Sequence, residues 1–203
     1  MASADATQTA NGGALLVRWQ GLIAPDQAVL KRLESLAGLL LLVLLTGLPL
    51  FTRTGLALVI AACGVLWLLW CLCSPPPERI STISRWLMLF LAIAIVTTGC
   101  SPVPIAASKG LIKLLSYLGV YALLCKLLLS NSRWWDRLIA GLLSGGLLSS
   151  VLALRQLYAS SEELAGWADP NSISAGTIRI YGPLGNPNLL AGYLLPLIPF
   201  AAI

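Results

Sequence analysis

The sequence contains no histidine, and only 10% of its 203 residues are charged. Without histidine there is no imidazole to ligate a metal, to serve as a general base near neutral pH, or to pair with a serine or cysteine nucleophile. So little charge excludes a soluble globule, which covers its surface with about 25% charged residues. Thirteen Lys and Arg against eight Asp and Glu give a formal net charge of +5. The basic residues are dispersed along the chain, so no nucleic-acid partner is expected. Cysteines number five, at positions 63, 71, 73, 100 and 125, and Cys71-x-Cys73 lacks the second couple a zinc site needs. No metal and no cofactor is expected. The cysteines read as small apolar helix residues, with Cys71 or Cys73 open to S-acylation at a membrane edge.

What is present is hydrocarbon: 58% of the residues are hydrophobic. The solvent that suits this chain is lipid, and the expected fold class is an all-α, polytopic transmembrane helical protein. A span needs about 20 apolar residues. Five full spans are expected within 35–157: Leu36–Phe51, Gly55–Cys73, Ile83–Gly99, Leu111–Ser130 and Leu138–Leu157. Thr52-Arg53-Thr54 makes the first pair a tight hairpin, and 105–110 reads as a short connection. Ser74-Pro75-Pro76-Pro77 and Ser101-Pro102-Val103-Pro104 end the second and third, because proline cannot continue a helix. Residues 158–186 form the long polar loop. A sixth run starts at Pro187 and reaches Ile203. Its length spans about 25 Å against a hydrocarbon core of about 30 Å. The expectation is therefore a truncated sixth span and an N-terminal fragment of a longer polytopic protein.

Residues 1–34 precede the spans. Residues 1–13 are small and polar and read as a disordered tail. Residues 14–34 interleave Leu15, Leu16, Trp19, Leu22 and Ile23 with Arg18, Asp26, Lys31 and Arg32. That pattern fits an interfacial amphipathic segment and equally a solvated helix. With a cytoplasmic N-terminus, the inner segments carry Arg18, Lys31, Arg32, Arg79, Arg85, Lys126, Arg133 and Arg137. The outer ones carry Arg53, Lys109, Lys113, Arg155 and Arg179. This asymmetry favours N-terminus inside, in a plasma (inner) membrane, and Trp70, Trp86, Trp134 and Trp135 fall on the same predicted interface.

Within the spans, Lys113 and Lys126 sit near helix ends, where their stems can snorkel to water; a charge on a permeation path is the competing reading. The fifth span carries Gly141, Gly145 and Ser149 at four-residue spacing. Such a small-residue stripe lets helix backbones approach closely, for packing within the chain or for helix–helix association with a partner.

The most informative stretch is Arg179-Ile-Tyr-Gly-Pro-Leu-Gly-Asn-Pro-Asn-Leu-Leu-Ala-Gly-Tyr193. Gly182 and Gly185 supply turn geometry. Asn186 suits a helix N-cap and Pro187 the first helical position, with Asn188 just inside. A helix N-terminus with open N–H groups attracts anions. Arg179 adds a guanidinium suited to carboxylate-like or phosphate oxygens. The expected anion-binding set is Arg179, Asn186 and Asn188, on a structural motif of Gly182, Gly185 and Pro187.

This stretch resembles the signature at the start of the core of the O-antigen ligase/polymerase-like membrane superfamily. It is most similar to the branch named for inorganic-carbon (bicarbonate) transport, the cyanobacterial IctB family. Further similarity lies in Leu48-Pro49-Leu50-Phe51-Thr52-Arg53-Thr54-Gly55 and in Ser101-Pro102-Val103-Pro104 with Lys109-Gly110-Leu111. The resemblance implies a multi-pass inner-membrane protein of roughly ten or more helices with a large external loop in its second half. The implied ligand is bicarbonate or, in the ligase branch, a lipid-linked phosphate. In that branch arginines and a histidine on or near the external loop transfer a glycan from a lipid pyrophosphate. Only Arg179 matches a position here, and with no histidine these residues hold no complete catalytic site. Three functions follow in order: inorganic-carbon transport, O-antigen ligase-type glycosyl transfer, and a helix-assembling scaffold.

Overall fold

The computed structural model describes residues 26–74, 81–158 and 180–202. The tail and amphipathic segment up to Pro25, the triple proline and most of the polar loop, Arg179 included, lie outside the described residues. Those described are largely helical, with no strand among them. In order they form α1 (Gln27–Gly47), α2 (Arg53–Cys73), α3 (Thr82–Gly99), α4 (Pro104–Ser130) and α5 (Trp134–Leu154). A 3-10 turn (Arg155–Tyr158) follows. After the loop come a second 3-10 turn (Gly182–Leu184), α6 (Pro187–Leu194), a third 3-10 turn (Leu195–Leu197) and α7 (Ile198–Ala201).

Among the described residues, α2, α3, α4 and α5 are long and apolar enough to cross a bilayer. At 1.5 Å rise per residue they extend about 27–40 Å. α1 has a charged first half, with Lys31, Arg32 and Glu34, and an apolar second half. The chain is an all-helical, polytopic membrane protein, and its exposure pattern gives the same answer as its composition. Nothing in α3 is buried. Its Ile83, Trp86 and Val96 are each about two-thirds exposed, at 66%, 67% and 64%. In water that would be a large unexplained apolar surface; in lipid it is the expected exterior.

Local chemistry sets the helix ends. Thr52 Oγ1 accepts the Gly55 amide at 3.2 Å, so α2 begins at Arg53. Ser81 Oγ accepts the Ser84 amide at 3.1 Å and caps α3. Leu48-Pro49 follows α1, which ends at Gly47 and not at the expected Phe51. α4 starts at Pro104, so 105–110 is helix and not a connection; proline's fixed φ is suited to a first helical position. The sixth run is interrupted at Leu195–Leu197, where Pro196 and then Pro199 each lack a donor N–H.

The chain divides into two compact units, Met1–Ala37 with Ala61–Cys125, and Gly38–Ile60 with Lys126–Ile203. In the first, Cys63, Trp70 and Leu123 are buried. A Ser84 Oγ–Tyr121 Oη hydrogen bond of 3.2 Å ties α3 to α4. A cleft of about 250 Å³ lies between the end of α3 and the start of α4, lined by Thr97, Thr98, Ser101, Ala107, Gly110 and Leu114 among others. The second unit contains the motif and the small-residue stripe.

Candidate functional site

In the second unit, the motif is a turn held against the end of α5. Gly182 has φ +54° and Gly185 φ +67°, both in the left-handed region that glycine enters without steric cost. Gly182 is buried, and a Cβ on it would stand 3.2 Å from the Ala153 Cβ and 3.4 Å from Leu190 Cδ1. Gln156, in the 3-10 turn after α5, fixes this turn from the other side. Its Oε1 accepts the Tyr181 amide at 3.0 Å and the Gly182 amide at 2.9 Å. One side chain thereby satisfies two main-chain donors about 25 residues away.

From that turn the chain enters α6 through Asn186, which is extended at φ −150°, ψ 126°. Its Oδ1 accepts the Asn188 amide at 2.8 Å and the Leu189 amide at 3.4 Å. Pro187 has no amide proton, and the Leu190 amide donates to the Asn186 carbonyl at 3.0 Å. Every donor of the first turn is therefore taken by Asn186. An anion arriving here meets the helix dipole but no spare N–H. The Asn188 side chain is exposed.

α5 supplies the floor. Leu138, Gly141, Gly145, Gly146, Ser149 and Ala153 are buried, while Leu147, Val151 and Leu154 point outward. Leu138 apart, small residues lie inside and large ones outside, which inverts the rule for water-soluble cores, and this is how helices pack when lipid supplies no hydrophobic drive. The expected packing set of Gly141, Gly145 and Ser149 lies on this face. A Cβ on Gly141 would stand 2.9 Å from Thr46 Oγ1 of α1 and would also run into the Leu42 side chain. At Gly145 the neighbours are the Thr46 and Leu45 carbonyl oxygens of α1 and Tyr193 Oη of α6, and Gly146 meets Leu197. At the start of α5, the Trp134 ring covers Gly38, and the Arg137 guanidinium lies 5.0 Å from the centroid of that ring. A cation over an indole face is a favourable pairing.

The structure thus joins Gly182, Gly185, Asn186 and Pro187 into one turn, and Gly141, Gly145 and Ser149 into one helix face. Three residues that sequence reasoning passed over belong here too: Gln156, Tyr193 and Thr46. Tyr193 closes the quoted motif, and that position was its only signal. Lys113 is exposed and Lys126 half-buried. Among the described residues no group of three or more His, Cys, Asp or Glu side chains could hold a metal. No protein-family model, no curated protein and no solved structure matches the chain.

Proposed function

We propose that this chain belongs to an inner-membrane bicarbonate transporter of the inorganic-carbon branch of the O-antigen ligase-like superfamily, with its N-terminus in the cytoplasm. What carries the reading is the Arg179–Tyr193 sequence. Its described part is a double-glycine turn feeding an Asn-capped, Pro-initiated helix seated on α5. The seat matters because irregular backbone at membrane depth is tolerated only where it is buried in protein or lines a cavity, and substrate sites of helical transporters are typically built from such broken segments. Here that backbone is anchored by Gln156 and by close glycine contacts.

Since Asn186 uses the first-turn amides itself, the anion-selective charge falls to Arg179. The loop that carries Arg179 faces outward when the N-terminus is inside. Uptake of labelled bicarbonate into vesicles holding the full-length protein tests this. Uptake faster than in protein-free vesicles, and slowed in R179A, is expected. Uptake no faster than in protein-free vesicles removes transport.

The runner-up is glycan ligation from a lipid pyrophosphate, because Arg179 lies in a motif that resembles the ligase branch and guanidinium pairs bidentately with phosphate oxygens. It predicts loss of surface polysaccharide in a deletion strain with bicarbonate uptake unchanged.

A further inference from the structure

Three serines on the spanning helices are satisfied within their own helix. Ser116 donates to the Ile112 carbonyl at 2.7 Å, Ser144 to the Ala140 carbonyl at 2.7 Å, and Ser150 to the Gly146 carbonyl at 2.9 Å. This back-bonding is the usual solution for serine where no water is at hand. Ser149 does not adopt it. Its side chain is 0% exposed and its Oγ has no partner. Among the described residues, the other buried side-chain oxygen without a partner is Tyr193 Oη. The two belong to the same face: Tyr193 Oη lies 2.9 Å from where a Cβ on Gly145 would stand, and Ser149 follows Gly145 by one helical turn on the buried stripe.

Two more oxygens converge there. The Thr46 and Leu45 carbonyl oxygens lie 2.6 Å and 3.0 Å from that same Cβ position. Both belong to the last turn of α1, where carbonyls outrun their helical donors. The donor that Leu45 would receive four residues on is missing, because that residue is Pro49. The Leu50 amide, which would serve Thr46, donates to the Gly47 carbonyl at 2.9 Å. Three neutral oxygens are thus gathered beside a residue with no side chain, at the half-buried end of a helix, and Ser149, one helical turn along the same face, carries the fourth. The one carboxylate on α5 is Asp136 in its first turn, more than two turns before Gly145.

We propose that the junction of the α1 end, α5 and α6 binds one monovalent hard cation, Na⁺, through Tyr193 Oη, Ser149 Oγ and the Leu45 and Thr46 carbonyls. Carbonyl and hydroxyl oxygens are hard ligands, and divalent ions would call for carboxylates as well. Helix C-terminal ends and unwound carbonyls coordinate Na⁺ inside membrane proteins for the same electrostatic reason. The site stands whether the chain moves bicarbonate or transfers glycan, since it uses neither Arg179 nor the loop.

The test is a thermal melt of the full chain in detergent, in NaCl and in N-methyl-D-glucamine chloride of equal ionic strength, with ²²Na⁺ binding measured alongside. The wild-type midpoint should rise saturably with Na⁺, following ligand linkage. S149A and Y193F each delete a hydroxyl that is unsatisfied without the ion. In the Na⁺-free buffer they should melt at or above wild type, yet lose the Na⁺ increment and bind at least tenfold less ²²Na⁺. Equal wild-type midpoints in the two salts, or no saturable ²²Na⁺ binding, overturn the proposal. Retention of the full increment by both variants also overturns it. Should a variant not fold, wild-type ²²Na⁺ binding decides alone. None of these readouts depends on bicarbonate uptake.

Discussion

Gly145→Ala isolates the closest helix contact in the second unit. A Cβ there would stand 2.6 Å from the Thr46 carbonyl oxygen and 3.0 Å from that of Leu45. Carbon and oxygen in a weak C–H···O contact settle at about 3.3–3.6 Å, so α5 and the end of α1 must separate by roughly 0.7–1.0 Å. Main chain cannot swing aside as a side chain can, and the upper part of the overpacking range applies, about 2–3 kcal/mol. Replacing a helical glycine by alanine returns about 0.8–1.0 kcal/mol. The net expectation is a loss of about 1–2 kcal/mol. Gly192→Ala is the matched control, because nothing lies within 4 Å of its Cβ position. Only the propensity gain remains there, up to about 1 kcal/mol. The two single-methyl variants should therefore differ by about 2–3 kcal/mol, in opposite directions from wild type. Reversible unfolding in mixed micelles measures both. A G145A protein as stable as G192A would refute the close approach of α1 to α5.

Asn186→Ala removes the acceptor for the Asn188 and Leu189 amides. It should cost about 0.5–2 kcal/mol, with N186S or N186D retaining most of that; amide exchange at 188 and 189 should quicken in step. Gln156→Ala strips the shared acceptor from the Tyr181 and Gly182 amides. Unsatisfied half-buried donors put its cost at about 1–3 kcal/mol, whereas Q156E keeps an acceptor and should lie closer to wild type by the same unfolding assay. In single-cysteine variants in micelles, Cys100 is exposed and should label promptly with maleimide. Cys63 is buried and should label only on unfolding; equal rates would contradict the packing of α2.

The spans were legible because their cause is local. Long apolar runs, broken by prolines and by Thr52-Arg53-Thr54, locate α2, α3 and the bulk of α4 and α5 without tertiary information. Boundaries failed where a residue has two readings. Pro104 reads in the sequence as a stop after α3, yet it initiates α4, since proline ends one helix and starts the next by the same fixed φ. Leu48-Pro49 closes α1 early because a missing amide outweighs the apolar character of Leu48, Leu50 and Phe51. In the motif, the turn, cap and first helical position follow from side-chain chemistry within a few residues, so Gly182, Gly185, Asn186 and Pro187 were readable. Gln156 and Tyr193 were not. Their roles arise from partners about 25 and almost 50 residues distant, and nothing in a glutamine or tyrosine announces which backbone it will meet.

The small-residue stripe shows the same division more sharply. Four-residue spacing of Gly141, Gly145 and Ser149 says that something approaches this face, because lipid packs as well against leucine as against glycine and would not require the exchange. It does not say what approaches. The structure puts the end of α1 against Gly141 and Gly145, and α6 with the following turn against Gly145 and Gly146. One helix face thereby receives a helix terminus and the capped segment of the motif together. That pairing depends on α1 stopping where it does. Had α1 continued past Gly47 with its carbonyls bonded in sequence, the Leu45 and Thr46 oxygens would be occupied within their own helix. Because Pro49 withholds an amide and the Leu50 amide turns to Gly47, those oxygens are left to face Gly145, and α5 can accept them only by having no side chain there. Pro49 and Gly145, far apart in sequence, are therefore two halves of one device, and changing either alone should strand the other.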